Sequence, residues 1–186
     1  MVKLEHYIQI EPNILPADVC DALLAEYANS SEWVSAKTVG GLDLDTRNCD
    51  TIKMSMAESI GLNREKRTEL DNKVLKALSW AAKSYFWKFP RAVCNQDTGY
   101  ELLRYKEGGF FKEHVDYSPT TTQRQVSFSF ALNDDYEGGE FQFFGHSVPY
   151  RVPKGSCIIF PSSFVFPHQI LPVTSGTRYS VVTWMH

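Results

Sequence analysis

Short runs of aromatic and β-branched residues, separated by glycine-rich turns, fill the second half of the chain. Six runs follow residue 98, and they span residues 100–105, 110–116, 125–132, 140–144, 156–160 and 178–184. The turns between them are marked by Gly108-Gly109, Gly138-Gly139 and Gly176. Strand after strand at short spacing, with no helical period, predicts a mainly β fold of the sandwich or jelly-roll kind.

The first 98 residues have a different character. Alternation of apolar and polar residues from Leu4 to Glu11 predicts a half-buried strand. One helix is predicted to begin near Pro16, and a second to span residues 64–86, where apolar residues recur at helical spacing. Between the helices, the glycine- and aspartate-rich segment 39–51 predicts a mobile loop flanked by short strands. We expect these helices to pack on the β-core within one domain of 186 residues, divided at residues 98 and 99.

Charge and cysteine usage narrow the classes of function. The net charge is −3 and no basic stripe is present, which argues against nucleic acid as the main partner. No apolar run approaches the ~18 residues of a membrane helix, and the first residues lack the pattern of a signal peptide. The four cysteines form no CxxC pair, which favours reduced thiols in the cytoplasm over a zinc site, although two disulfides would also be compatible.

Two histidines and an aspartate form the strongest chemical pattern. His114 and Asp116 are separated by one residue on a predicted strand, so their side chains should lie on the same face. His168 follows 52 residues after Asp116, at the edge of another predicted strand. An HxD pair alone is most often a surface polar pair. Two imidazoles and one carboxylate together match the facial triad that suits non-haem Fe(II).

Arg178 follows His168 by ten residues, and the same alternation places Ser180 beside it. A guanidinium presents a rigid fork of donors that matches a carboxylate, and a neighbouring hydroxyl adds another hydrogen bond. A buried arginine aimed at a metal site needs an anionic partner, because an unpaired buried charge costs several kcal/mol. A dicarboxylate cosubstrate would supply that partner.

At this point the chain resembles the prolyl 4-hydroxylases of the Fe(II)/2-oxoglutarate-dependent dioxygenase superfamily. The similar segments are 101–116 (ELLRYKEGGFFKEHVD), 132–133 with 137–140, 155–161, and 168–180. The resemblance implies a double-stranded β-helix core over residues 99–186, preceded by packing helices and a substrate-covering loop within residues 1–98. It also implies Fe(II) and 2-oxoglutarate as cofactor and cosubstrate, with ascorbate as an accessory reductant.

The resemblance assigns a role to each matching position. The iron ligands would be His114, Asp116 and His168. Arg178 would bind the distal carboxylate of 2-oxoglutarate. Tyr105 and Ser180 would help to hold that cosubstrate. Trp184, and Arg47 in the loop, would lie against the substrate, for which the resemblance implies a prolyl residue in a peptide or protein.

Three alternatives stay open at this stage. The enzyme could hydroxylate another peptidyl residue or a free amino acid. The chain could instead be a non-catalytic β-helix module that binds a metal or a small acid, or a protein with only a structural or interaction role. A nucleic-acid demethylase of the same superfamily is disfavoured, because the position six residues after Arg178 is Trp184 and not a second arginine.

Overall fold

The structure is a computed structural model, and it describes residues 3–54, 63–117, 124–145 and 147–186. In these residues thirteen short strands and two α-helices follow one another along the chain. The helices are α1 (Ala17–Tyr27) and α2 (Arg64–Lys88). The strands are β1 (Gln9–Glu11), β2 (Val34–Ser35), β3 (Arg47–Asn48), β4 (Asp50–Lys53), β5 (Glu101–Tyr105), β6 (Phe110–His114), β7 (Val126–Ala131), β8 (Glu137–Gly138), β9 (Phe141–Phe143), β10 (Cys157–Pro161), β11 (His168–Ile170), β12 (Val173–Ser175) and β13 (Arg178–Met185).

A seven-stranded sheet and a four-stranded sheet form the β-core. The larger sheet has the order β1-β10-β7-β13-β5-β4-β2, and the smaller has the order β3-β6-β11-β9. A short β8-β12 pair completes the set. Apolar side chains from both sheets, among them Tyr105, Phe143 and Ile158, form one buried cluster between them. The expected jelly-roll core with packing helices is confirmed.

The central strands of the large sheet are buried on both faces. Alternate residues of β7, such as Phe128 and Phe130, pack in a second cluster with α1 and α2. The intervening Ser127 and Ser129 line a cavity between the sheets. Because side chains alternate along a strand, β7 therefore carries an apolar face and a polar face.

Both helices begin near the predicted residues. Pro16 caps α1, where its missing N–H costs nothing. The α2 helix extends two residues past the predicted end at Phe86. The face of α2 that packs on the sheet carries Leu70, Val74, Leu78 and Tyr85, all of which are buried. The apolar residues that recur at helical spacing in α2 are thus buried against one face of the large sheet.

The strand predicted from Leu4 to Glu11 is wrong in its first half. Residues Leu4–Tyr7 form a 3₁₀ turn, and only Gln9–Glu11 pair with β10. Gln9 lies opposite Ile159, so an extended Tyr7 would face Pro161, which has no N–H to donate. The pairing of β1 with β10 therefore does not extend to Tyr7, because the opposite residue of β10 is a proline.

The segment 39–51 is also not one loop. Its last residues form β3 and the start of β4, which lie in different sheets. Three strands from the first 98 residues therefore complete the large sheet, and a fourth completes the small one. His146 follows a glycine at a predicted hairpin tip, which predicts a surface position, and it lies outside the described residues. The four cysteines carry free thiols. No helix in the described part of the chain is long and apolar enough to cross a membrane.

Candidate metal centre and its cavity

His114, Asp116 and His168 converge at one point of the β-core. Each offers one ligand atom, and these three atoms lie within 4.8 Å of one another. His168 pairs directly with His114 across β11 and β6. The sequence predicts that His114 and Asp116 share one strand. The β6 strand instead ends at His114, and Asp116 lies in the bend that follows it. Its carboxylate nevertheless lies 3.6 Å from His114 Nε2 and 3.7 Å from His168 Nε2.

Both imidazoles are oriented by their other ring nitrogen. His114 Nδ1 lies 2.8 Å from the carbonyl oxygen of Lys112, and His168 Nδ1 lies 3.1 Å from that of Phe166. A carbonyl oxygen can only accept, so each Nδ1 carries the proton and donates it. Each Nε2 lone pair is then free to bind a metal, which is the usual arrangement of ligating histidines.

The ionisation states also suit a metal. Burial lowers the pKa of His168 to about 4, although the charge of Asp116 acts against it. Burial would raise the pKa of the Asp116 carboxyl, but the two histidines and a hydrogen bond from Ser127 hold it well below its usual range. At neutral pH the site therefore offers a neutral imidazole and a carboxylate, the forms in which these side chains bind metals.

Two buried serines support Asp116, and the sequence analysis missed them. Ser127 Oγ donates to Asp116 Oδ2 at 2.7 Å, and the Ser162 hydroxyl lies 2.7 Å from that of Ser127. The signal that could have found Ser127 is its alternation with Phe128 on the strand after the HxD pair. Ser162 follows a different strand, and its position depends on the pairing of β10 with β7.

Arg178 lies at the start of β13 and is only 3% exposed. Its Nη1 donates to Ser180 Oγ at 3.2 Å, and its Cζ lies 5.2 Å from the Tyr105 ring centroid and 5.3 Å from that of Phe141. Within the described residues no carboxylate forms a salt bridge with it. A buried guanidinium without an acid partner needs an anion from outside the chain.

All the predicted site residues line one cavity of about 730 Å³, which falls in the range of small-molecule sites. They are Arg47, Tyr105, His114, Asp116, His168, Arg178, Ser180 and Trp184. Phe141 lies between the metal-binding side chains and Arg178, since its ring contacts both Arg178 and His168. Burial raises the pKa of Tyr105 far above its usual range, so that its hydroxyl stays a hydrogen-bond donor.

Arg47 and Trp184 lie in other parts of the cavity wall. Arg47 Nη1 donates to the carbonyl oxygen of Lys37 at 3.0 Å, and its Cζ lies 4.7 Å from the Phe111 ring centroid. Phe111 stacks in turn on His114. Trp184 lies under a second arginine, Arg124, which sequence reasoning also missed.

The residues present fit the metal and the cosubstrate that the resemblance implies. Two imidazole nitrogens and one carboxylate with open positions form a donor set suited to Fe(II). Arg178, which is buried and has no acid partner in the part of the chain that the structure describes, offers a fork of donors for the distal carboxylate of 2-oxoglutarate. Both features belong to the same cavity.

Comparison with known proteins gives a consistent result. The family model for the 2OG-Fe(II) oxygenase superfamily matches residues 100–186. A PKHD-type hydroxylase of Paracoccus denitrificans is 27% identical over 190 residues, covering 95% of this chain and 76% of that protein. One of Acaryochloris marina is 39% identical over 87 residues, covering 44% of this chain. That second match spans only 39% of the relative's own length, and one of Prochlorococcus marinus, at 26% identity, spans 67%.

Solved structures share the fold over almost the whole chain. A Pseudomonas putida prolyl-4-hydroxylase has a TM-score of 0.74 at 21% identity, covering 97% of this chain and 92% of that one. A prolyl hydroxylase of Trichoplax adhaerens, solved with a hypoxia inducible factor peptide, has a TM-score of 0.74 at 17% identity, covering 96% of this chain and 83% of that one.

Proposed function

We propose that this chain is a member of the 2OG-Fe(II) oxygenase superfamily, whose model matches residues 100–186. As a 2-oxoglutarate-dependent dioxygenase it would hydroxylate a prolyl residue in a peptide or protein. The observation that carries the proposal is the cavity that holds both the His-Asp-His cluster and the unpaired Arg178. The prolyl substrate is supported by the fold shared with prolyl hydroxylases.

His114, Asp116 and His168 would hold Fe(II). When bound there with 2-oxoglutarate and dioxygen, Fe(II) would supply the oxidation of a substrate C–H to C–OH, with 2-oxoglutarate converted to succinate and CO₂. The protein orients the ligands before the metal arrives, because the carbonyl oxygens of Lys112 and Phe166 fix both imidazoles. The Asp116 carboxylate keeps its charge because the two histidines, and then the hydrogen bond from Ser127, favour the ionised form.

Arg178 would pair with the far carboxylate of 2-oxoglutarate. Its side chain is stacked near two rings and hydrogen bonded to Ser180, so little freedom is lost when the anion binds. Tyr105 and Ser180 would donate or accept further hydrogen bonds at the same end. Together they fix which end of the cosubstrate faces the histidines.

Trp184 and Arg47 would lie against the substrate. Both line the cavity without belonging to the metal ligands, and Arg47 follows the segment 39–46, whose residues 39 and 40 also line the cavity. Closure of this segment over a bound peptide would keep water from the reacting atoms. We propose that residues 1–98 and 99–186 act as one catalytic unit, since strands from both parts build this wall.

Mass spectrometry of proline-containing peptides incubated with Fe(II), 2-oxoglutarate and ascorbate tests the proposal. We expect a +16 Da product located on proline, with equimolar succinate, and a raised KM for 2-oxoglutarate in Arg178→Gln. Succinate release with a hydroxylated product on another residue, or on a free amino acid, would support the dioxygenase activity and contradict the prolyl substrate. The same reaction without ascorbate tells whether the reductant is needed.

A non-catalytic metal- or acid-binding module is not favoured, because all three metal-binding side chains and Arg178 are present and share a cavity. It would show no succinate release with any substrate. The cytoplasmic location expected from the unpaired cysteines stays a prediction.

A further inference from the structure

The wall of the cavity carries more positive charge than the proposed metal and cosubstrate use. Its basic side chains are Lys37, Arg47, Lys53, Arg124 and Arg178, and its acidic ones are Glu101 and Asp116. Asp116 and Arg178 are committed to the metal and to 2-oxoglutarate in the proposed function. Glu101 lies opposite Lys53 in the register of β4 and β5, so these two offset each other. Three cations remain.

Arg124 is held against an aromatic ring of the cavity wall. Its Cζ lies 3.5 Å from the centroid of the Trp184 ring, so the guanidinium rests on the indole. Trp184 is only 9% exposed, and it belongs to β13, four residues beyond Ser180. A guanidinium held by its face keeps the N–H donors at its edge available. Arg124 is thus presented as a fixed fork of donors and not as a freely solvated charge.

No acid of the described residues pairs directly with this fork, although the charges of Asp116 and Glu101 act on it from a distance. Arg124 forms no salt bridge there, and its buried Nε has no hydrogen-bond partner. Residues 118–123, which precede it in the chain, include no aspartate or glutamate. Arg47 also has a buried Nε without a partner. A partly buried arginine charge without an acid partner is costly unless a ligand supplies one.

We propose that the substrate carries a carboxylate close to the residue that is hydroxylated, and that Arg124, resting on Trp184, binds it with help from Arg47 and Lys37. The inference rests on the proposed function, and it adds the chemical class of the substrate. The carboxylate comes either from an aspartate or glutamate beside the target residue or from the free C-terminus of the substrate, because both present the same pair of oxygens.

Calorimetric binding with peptides of matched size tests the proposal without turnover. The enzyme is loaded with Mn(II) and 2-oxoglutarate in the absence of oxygen. The probes are acetyl-Gly-Glu-Pro-Glu-Gly-amide, the same peptide with glutamine or lysine in place of both glutamates, and acetyl-Gly-Gln-Pro with a free C-terminus. The variants are Arg124→Gln, Arg124→Lys, and Lys76→Gln as a control on the exposed face of α2, outside the cavity.

We expect wild type to bind the glutamate peptide or the free-carboxylate peptide at least tenfold more tightly than the amidated glutamine peptide, and the lysine peptide least. Which carboxylate peptide binds more tightly identifies the source. In Arg124→Gln the preference should fall to about twofold or less, Arg124→Lys should keep part of it, and Lys76→Gln should keep all of it. Added salt should weaken the preference.

Equal binding of charged and neutral peptides by wild type, or no binding of any of them, would overturn the proposal whatever the variants do. An unchanged preference in a folded Arg124→Gln would overturn the role of Arg124. Succinate release, measured separately, distinguishes failure of the proposed carboxylate preference from failure of the proposed dioxygenase activity. Turnover without charge preference would leave the dioxygenase standing, and charge preference without any turnover would leave an acid-binding cavity without the proposed reaction.

Discussion

Each histidine of the candidate metal site has one ring nitrogen bound to a backbone carbonyl oxygen, two residues before it in the chain. Asp116 is held in turn by Ser127, and Ser127 contacts Ser162. The ligand atoms are therefore aimed by hydrogen bonds that exist before any metal binds. Such support usually contributes measurably to metal affinity.

Replacing Ser127 with alanine should weaken metal binding. The variant removes the hydrogen bond to Asp116 Oδ2 and leaves the three ligands in place, so we expect affinity for Fe(II) to fall by about 10–100-fold. Anaerobic titration with Fe(II) measures the effect. Ser127→Thr, which keeps the hydroxyl, should recover most of the affinity.

Ser129→Ala is the matched control for this prediction. Ser129 lies on the same strand and lines the same cavity, but its hydroxyl makes no hydrogen bond to Asp116. Its replacement should leave the affinity for Fe(II) within about threefold of wild type, as ligand support predicts. Equal losses in the two variants would mean that β7 is perturbed in general and that Ser127 has no special role.

The sequence predicts which residues form the candidate metal site more accurately than it predicts the secondary structure in which they lie. Alternation along a strand placed His114 and Asp116 on one face, yet Asp116 lies beyond the strand, and the bend brings it back to the histidine. For Arg178, Ser180 and Trp184 the same reasoning holds in full, because β13 continues unbroken over eight residues. Ser162 and Arg124 depend on contacts between distant segments, which spacing alone does not predict.

At the scale of the elements, α1 and α2 are joined by one buried carboxylate. Glu26 of α1 is 4% exposed, and Arg67 Nε donates to its Oε1 at 2.9 Å. Lys66 Nζ lies 3.1 Å from Oε2, and Asn63 also donates to the group. Burial acts to raise the pKa of Glu26, but the hydrogen bonds from Arg67, Lys66 and Asn63 outweigh it and lower the pKa. The two helices are therefore held against each other partly by this group of ion pairs and hydrogen bonds.

Replacing Glu26 with glutamine should destabilise the fold by about 1–3 kcal/mol at neutral pH, the usual worth of hydrogen bonds to a charged group. Because the folded pKa of Glu26 is lowered, its contribution is present above the unfolded value of 4.5 and is lost as pH falls through the folded pKa. Urea unfolding at several pH values should show the two proteins converging below about pH 4.5.

The control for Glu26 is Glu69→Gln on α2. Glu69 pairs with Lys73 at 2.7 Å, but its side chain is 64% exposed, so we expect no measurable change in the free energy of unfolding. If both variants lose the same stability, or if the gap for Glu26 persists at low pH, the ion pair does not stabilise the helix packing as described.

Long, strongly periodic elements were predictable from the sequence, and very short ones were not. The apolar period of α2 spans six turns and fixes the helix within two residues of its end. The β8 strand has two residues, and one of them is Gly138, whose positive φ suits a turn as well as a strand. Its pairing with β12 comes from the fold around it and not from local preference.

At the scale of the whole molecule, the N-terminal part supplies more of the β-core than its sequence indicated. The strands β1, β2 and β4 extend the large sheet on both edges, and β3 joins the small sheet beside β6. Arg47 reaches the cavity because β3 pairs with β6, which also carries His114. The packing helices then cover the far face of the large sheet. The cavity is thus built by residues that are far apart in the chain.

Anaerobic titration of Fe(II) into wild type and Asp116→Ala, followed by a chelator-competition measurement of the dissociation constants, tests the central claim most directly. If His114, Asp116 and His168 hold one ion, wild type should bind one equivalent, and Asp116→Ala should bind at least a hundredfold more weakly, because only two neutral ligands remain. Equal stoichiometry and affinity in the two proteins would contradict the account.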